Sequence, residues 1–201
     1  DDYNLRQNNL ITISETKGGN FYAPEFVGAA PPEPDILMLY DEGDFLNGIT
    51  DVAFSPRTDY GTYTYRKEAD YIYAKASNTG STNSNLYWHL VPGLGLGTLY
   101  EYKYINYDIE YTVTQGSSSW ETRSYIAASL SDYSSYNASH EYVYLVEKKR
   151  GEGTITGRET FKVPTDYGVY SPTYIGVFMN VGYSSGFVEF KTYKVWLSKE
   201  V

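Results

Sequence analysis

From residue 36 onward, short apolar or aromatic runs alternate with clusters of turn-forming residues. The runs fall at 36–40, 61–65, 71–77, 86–91, 99–114, 124–129, 142–149, 154–163, 174–181 and 187–197. Between them stand breakers such as Asn78-Thr79-Gly80-Ser81, Pro92-Gly93, Gln115-Gly116-Ser117-Ser118-Ser119 and Lys149-Arg150-Gly151-Glu152-Gly153. No segment sustains a helical period. Tyr, Val, Ile, Thr, Phe and Trp dominate the runs, as pleated strands prefer. Gly182-Tyr183-Ser184-Ser185-Gly186 reads as a hairpin between the last two strands.

Three of the runs say how their faces are covered. Across Tyr107-Asp108-Ile109-Glu110-Tyr111-Thr112-Val113-Thr114, period two places Ile109, Tyr111 and Val113 inward. Asp108, Glu110, Thr112 and Thr114 then face outward. Residues 174–181 are largely apolar on both faces, which predicts a central strand covered on both sides. Residues 187–197 change phase, with Val188 and Phe190 on one face and Tyr193, Val195 and Leu197 on the other. A bulge near Lys191-Thr192 would reconcile the two halves. The pattern predicts an all-β fold over 36–201: an antiparallel two-sheet β-sandwich, jelly-roll-like.

Residues 1–35 read differently. Gly18, Gly19, Pro24, Gly28, Pro31, Pro32 and Pro34 interrupt the segment 15–35, so no regular helix or strand is expected to cross it. Leu10-Ile11-Thr12-Ile13-Ser14 before it could form a short strand. Residues 1–35 are therefore expected to be an extended N-terminal arm or linker, or else a first strand of the same domain on a long loop.

Composition narrows the chemistry. The 201 residues carry no Cys, two His and a net charge of −9. Absence of Cys removes disulfides, thiol nucleophiles and zinc fingers. His89 and His140 are too few and too far apart for a multi-histidine zinc site. The acidic balance argues against nucleic acid, whose phosphates need a basic face. No run reaches the roughly 18 apolar residues of a membrane span, and no signal-type apolar segment opens the chain.

Several motifs invite a catalytic or ligand role. Gly93-Leu94-Gly95-Leu96-Gly97 has glycine spacing but no Lys, and Thr98-Leu99-Tyr100 reads as entering a strand, so a phosphate loop is not expected. Asp108 and Glu110 share a strand face about 7 Å apart. That separation is admissible for a glycan hydrolase using paired carboxylates, and equally for a solvated acidic face. No Gly-x-Ser-x-Gly elbow is present, and His89 and His140 read as packing or surface residues, so no catalytic set is assigned. Asp41-Glu42-Gly43-Asp44 clusters carboxylates about a glycine; Asp41 and Asp44 could hold Ca²⁺ in a sandwich loop, the alternative being an acidic turn. No other cofactor is expected.

Tyrosine is the outlier, with 24 residues. Tyr63 and Tyr65, Tyr71 and Tyr73, Tyr100, Tyr102 and Tyr104, and Tyr142 and Tyr144 are expected to share strand faces. Loop positions hold Trp120, Tyr133, Tyr136, Tyr167, Tyr170 and Tyr183, which are the expected ligand-binding rings. A tyrosine offers a flat apolar ring and a hydroxyl at low entropy cost, which suits sugar stacking and protein interfaces alike.

Ile36-Leu37-Met38-Leu39-Tyr40-Asp41-Glu42-Gly43-Asp44 resembles the opening of β-sandwich modules in virions of phages of Gram-positive bacteria. The resemblance continues through Ile49-Thr50, the Tyr-rich pair 63–65 and 71–76, Tyr174-Ile175-Gly176 and Val195-Trp196-Leu197. Asp51-Val52-Ala53-Phe54 stands where those modules often carry Gly-Gly-Trp. The resemblance implies a non-enzymatic structural part of tail, baseplate, fibre or capsid-decoration type, on the virion and extracellular. It implies partners among other virion subunits through the N-terminal arm, a homo-oligomer, and recognition of host-surface carbohydrate. The same residues also allow a secreted or surface carbohydrate-binding module of a bacterium.

Overall fold

The computed structural model describes residues 35–57, 61–80, 83–114, 123–130, 142–148, 153–166, 174–182 and 186–199, together with the short strands at 9–12 and 25–28. Two compact units emerge, Asp1–Pro34 and Asp35–Val201. In the first, β1 (Asn9–Thr12) and β2 (Glu25–Gly28) pair antiparallel, with Asn9 opposite Gly28 and Thr12 opposite Glu25. This corrects the expectation that nothing regular forms within 15–35. The four residues of β2 lie after Pro24 and before Pro31 and contain no proline, so each has an amide to donate.

The second unit runs β3 (Ile36–Asp41), β4 (Asp44–Phe45), β5 (Asp51–Arg57), β6 (Gly61–Lys67), β7 (Ile72–Asn78) and β8 (Ser84–Val91). A short helix α1 (Leu96–Glu101) precedes β9 (Tyr104–Thr114), β10 (Ser124–Ser129) and β11 (Tyr142–Lys148). The last strands are β12 (Thr154–Pro164), β13 (Gly176–Val181) and β14 (Phe187–Ser198). They form two antiparallel sheets, a jelly-roll-like sandwich as predicted. One has five strands in the order β11-β10-β13-β8-β5. The other has seven, β12-β9-β14-β3-β4, with the β6–β7 hairpin attached through β7 to β14. Strand β14 organises the larger sheet. One edge pairs with β9; the other is shared, with Phe187–Thr192 against β7 and Lys194–Ser198 against β3.

The core lies between the sheets and follows the two-residue period. Ile109, Tyr111 and Val113 are buried in β9, whereas Asp108, Glu110, Thr112 and Thr114 stay partly exposed on the outer face. From the five-stranded sheet, Leu86, Trp88, Leu90, Val177, Met179 and Ile126 meet Tyr40, Ile72, Tyr107 and Phe190 of the other. Each large apolar side chain removed from water contributes about 1.5–3 kcal/mol. Strand β13 is the middle strand of its sheet and buried at all six positions, as its two-faced apolar sequence predicts.

The phase change in β14 is resolved by a bulge. The register against β9 slips between Thr192 and Lys194. The extra residue brings Val188, Phe190, Val195 and Leu197 to the same buried side. It also turns Tyr193 outward, where its hydroxyl donates to Glu110 Oε2 at 3.0 Å.

Three local expectations need correction. The segment 182–186 is not a hairpin: β13 pairs with β10 and β8, β14 with strands of the other sheet, so the chain crosses between layers here. Glycines permit either turn; the buried faces of β13 and β14 decide it. Residues 99–101 belong to α1 and not to the following strand, because β9 starts only at Tyr104. Gly95 therefore does precede a helix, though one of six residues without a side-chain cap. Finally, the pattern of apolar runs does not predict β5. Asp51 and Pro56 disguise it, yet Pro56 is tolerated because β5 is an edge strand that needs donors on one side only.

Candidate functional site

The outer face of the five-stranded sheet collects rings by strand register alone. Antiparallel pairing sets Tyr87 of β8 opposite Phe178 of β13, which is opposite Ala127 of β10. On the next rung His89 faces Gly176 and on the other side Tyr125 faces Asn180. Two clusters result. Tyr87 stacks on His89 with centroids 5.3 Å apart, and Tyr174 meets His89 edge-on at 4.7 Å. Tyr125 contacts Phe178 at 5.9 Å and Tyr144 of β11 at 4.9 Å, edge to face. Gly176 makes the first cluster fit: a Cβ there would meet the Tyr87 hydroxyl at 2.7 Å and the Trp88 carbonyl at 2.2 Å.

These rings are graded in depth. Tyr87, Phe178 and Tyr125 are buried and form a floor, His89 and Tyr174 are half-buried, and Tyr144 is 43% exposed at the rim. Polar groups border them. Arg123 and Glu147 form an ion pair of 2.8 Å, and Asn180 Nδ2 donates to the Arg123 carbonyl. Asn85 Oδ1 is buried on the same face without a hydrogen-bond partner among the described residues. Such an unsatisfied acceptor is costly in isolation and is relieved by a donor from outside.

The outer face of the seven-stranded sheet is built oppositely, from paired charges. Arg158 on β12 donates from Nε to Asp108 Oδ1 at 3.0 Å and from Nη2 to Oδ2 at 2.7 Å. Its guanidinium carbon lies 3.9 Å from the centre of the Tyr193 ring. Lys191 Nζ donates to Glu110 Oε1 at 2.7 Å. The Lys191 bond, reinforced by the Tyr193 hydroxyl and by Arg158, holds the Glu110 carboxyl below its ordinary range. Further along, Tyr73 donates to Glu189 at 2.9 Å and Lys75 pairs with the same carboxylate at 3.2 Å.

The acidic turn carries Asp41 and Asp44 as a register pair between β3 and β4. Asp41 Oδ1 is 2.9 Å from Lys194 Nζ, which also stands 3.5 Å from Glu42. A lysine thus supplies the positive charge at this turn. Among the described residues no group of three or more His, Asp or Glu side chains converges to hold a metal. Trp120, Tyr133, Tyr136, Tyr167, Tyr170 and Tyr183 lie outside the described residues, as does His140. The sheet-face rings were partly visible in sequence, since Tyr142 and Tyr144 alternate. Tyr87, His89, Tyr125, Tyr174 and Phe178 were missed because only register across three strands brings them together.

The fold and this face define a β-sandwich with an aromatic outer surface on its smaller sheet. No family model matches the chain, and no curated protein matches it. Solved structures similar to it include the family 11 carbohydrate-binding module of the cellulosomal cellulase Lic26A-Cel5E of Clostridium thermocellum, with TM-score 0.44, 11% identity, and 82% of this chain and 95% of that chain covered. The K3 cleaved adhesin domain of Lys-gingipain from Porphyromonas gingivalis aligns at TM-score 0.44 and 14% identity, covering 80% and 98%. The CBM22-1 xylan-binding domain of Paenibacillus barcinonensis Xyn10C aligns at TM-score 0.36 and 9% identity, covering 86% and 100%. At these scores the likenesses define neither a family nor a ligand for this chain.

Proposed function

We propose that the protein is a non-catalytic glycan-recognition module that works outside the cell, on a bacterial surface or as a secreted part. The observation that carries this reading is the pair of ring clusters on the outer face of the five-stranded sheet, rising to exposed Tyr144 beside the Arg123–Glu147 pair. Sugar rings present flat C–H faces that stack on such rings, and their hydroxyls need fixed donors and acceptors. Asn85, His89, Arg123 and Glu147 are placed to serve them. Trp120, Tyr133, Tyr136, Tyr167, Tyr170 and Tyr183 are proposed as further contacts of the same kind.

Asp108 and Glu110 are poorly suited to act together as a hydrolytic pair. A glycosidase needs one carboxyl with a raised pKa to protonate the leaving oxygen. Glu110 is shifted the other way and Asp108 is gripped by Arg158. No helix among the described residues is long and apolar enough to cross a membrane.

A second reading sets the same module on a virion, attached through its N-terminal residues. It is favoured by the separate unit Asp1–Pro34. Co-sedimentation with particles that needs residues 1–34 would support it.

Affinity electrophoresis through gels holding soluble polysaccharides tests the main reading. Retardation by at least one polysaccharide is expected, weakened by Tyr144→Ala and untouched by Asp108→Asn. Unretarded migration across a broad panel of plant, fungal and bacterial polysaccharides would overturn it.

A further inference from the structure

A cleft lies at one end of the sandwich, where α1 runs into β9 and β12 ends. It has a volume of about 440 Å³ and is lined by Tyr100, Tyr102, Lys103, Tyr104, Thr165 and Asp166, among others. Sites for small ligands commonly span roughly 300–1,000 Å³. Tyr100 is 70% exposed, the most exposed of the large apolar side chains described. Nothing in the sandwich core uses it.

The walls are held rigidly. Thr165 Oγ1 donates to the Tyr102 carbonyl at 2.8 Å, and its amide donates to the Lys103 carbonyl at 2.9 Å. The Lys103 amide in turn donates to the Ser198 carbonyl at 3.0 Å. Pro164 lies in register with Tyr104. A cleft fixed in this way spends little ordering entropy on binding.

The lining itself is balanced, with Lys103 and Asp166, and exposed Glu101 of α1 follows Tyr100 in the chain. The chain carries −9 overall, yet three ammonium groups gather at this end. Lys103 lines the cleft. Lys162 Nζ sits 4.2 Å from the centre of the Tyr104 ring, and Lys199 Nζ sits 5.5 Å from that of Tyr102. The lining holds one carboxylate, Asp166. An exposed ring, a lining ammonium with two more set over the neighbouring rings, and an acceptor in the lining match one unit of an acidic glycan: a ring face to stack, a carboxylate to pair and hydroxyls to bond.

We propose that this cleft is a second glycan subsite, specific for a carboxylate-bearing sugar such as a uronic acid residue. The inference rests on the glycan-recognition reading and extends it. Tyr100 stacks on the sugar ring, Lys103 receives its carboxylate, with Lys162 and Lys199 adding to the field, and Asp166 accepts from a hydroxyl. The two surfaces belong to one folded unit, so a single polysaccharide engaging both would gain by effective concentration.

The test is titration calorimetry on the full chain with trigalacturonate, and with the neutral trisaccharide of galactose as comparison. The acidic trisaccharide should bind about tenfold more tightly, the scale of one charge-assisted contact, and should weaken as salt rises from 0.05 to 0.5 M. Tyr100→Ala and Lys103→Ala should each weaken it severalfold. Both side chains lie at the surface, so circular dichroism should show the fold intact. Tyr144→Ala should leave trigalacturonate binding unchanged while lowering retention on neutral polysaccharide gels. Equal affinity for the two trisaccharides, or wild-type affinity in both cleft variants, would overturn the subsite while leaving the sheet-face reading standing. Loss of all retention on every polysaccharide would instead remove the underlying reading.

Discussion

Arg158 grips Asp108 with two parallel hydrogen bonds and lays its guanidinium over the ring of Tyr193. The relationship links β12, β9 and the bulge of β14, and it commits a carboxylate to structure. Exposed pairs of this kind contribute about 0–1 kcal/mol each. Asp108→Asn should therefore lower stability by no more than about 1 kcal/mol in urea melts. It should leave polysaccharide retention unchanged and release no reducing sugar relative to wild type.

Glu110 makes the same face sensitive to acid. Its folded pKa is lowered by the bond from Lys191, then by Tyr193 and Arg158. Its contribution is thus present above the unfolded carboxylate value of about 4.3 and is lost as pH falls through the lower folded value. The side chain is 41% exposed, so screening by water limits the effect to a few tenths of a kcal/mol, about the value of a surface pair. Glu110→Gln should flatten the stability–pH curve below about pH 4.3 and leave it unchanged at pH 7 apart from a constant offset.

At the alkaline end the tyrosines govern. Burial pushes Tyr40, Tyr73 and Tyr111 up to about 12 from the ordinary 10.0, with hydrogen bonds to Glu189 and Glu159 adding to the shift at Tyr73 and Tyr111. A raised folded pKa gives stability that is whole below pH 10 and lost as pH climbs through about 12. Tyr40 is the most buried of the three. Tyr40→Phe should reduce the loss of stability between pH 10 and 12, read by thermal melts against wild type. An alkaline limb identical to wild type would show that Tyr40 does not ionise with unfolding.

The sandwich was legible in the sequence because period-two alternation is local. Val113 and Asp108 declare their faces without knowing their neighbours, and the bulge in β14 follows from the clash of phase between Phe190 and Val195. The crossing at 182–186 was not legible. Glycine and serine allow a hairpin or a crossover, and only the partners of Phe178 and Val188 in opposite sheets distinguish them. The sheet-face rings were hidden for a related reason. Tyr87, Tyr125 and Phe178 are far apart in sequence and meet through three-strand register. Helix α1 was hidden because Leu99 and Tyr102 are as apolar as strand residues, and six residues are too few to show a period.

Gly43 and Gly153 separate strain from crowding. Both have positive φ, +104° and +71°. A Cβ on Gly43 would come within 1.8 Å of the Ala69 carbonyl oxygen, whereas one on Gly153 would meet nothing within 4 Å among the described residues. Gly153→Ala should therefore cost only the backbone penalty of about 1–2 kcal/mol. Gly43→Ala must also displace the 69–70 backbone and should cost clearly more, roughly 3 kcal/mol or above. Denaturant midpoints at equal m-values would show the ordering; equal costs would contradict the close approach of Gly43 to Ala69.

Asn78 tests how the two sheets are joined at their corner. It ends β7 with 1% exposure. Its Nδ2 donates to the carbonyls of Gly182 at 3.2 Å and Val181 at 3.4 Å, and its Oδ1 accepts from the Gly80 amide at 2.8 Å. The Asn78 amide itself donates to the Gly186 carbonyl at 3.1 Å, so one residue brackets the crossing from β13 to β14. Asn78→Ala would strand buried carbonyls and open a small void, at a cost of about 2–3 kcal/mol. Asn78→Asp keeps the acceptor for Gly80 but places a carboxylate beside two carbonyl oxygens, and should be at least as damaging. Hydrogen exchange should quicken at the Gly182 amide in both variants, and at the Gly80 amide in the alanine variant, before exchange in the middle of β13 does. Uniform quickening across β13 would mean that the corner does not open separately from the sheet.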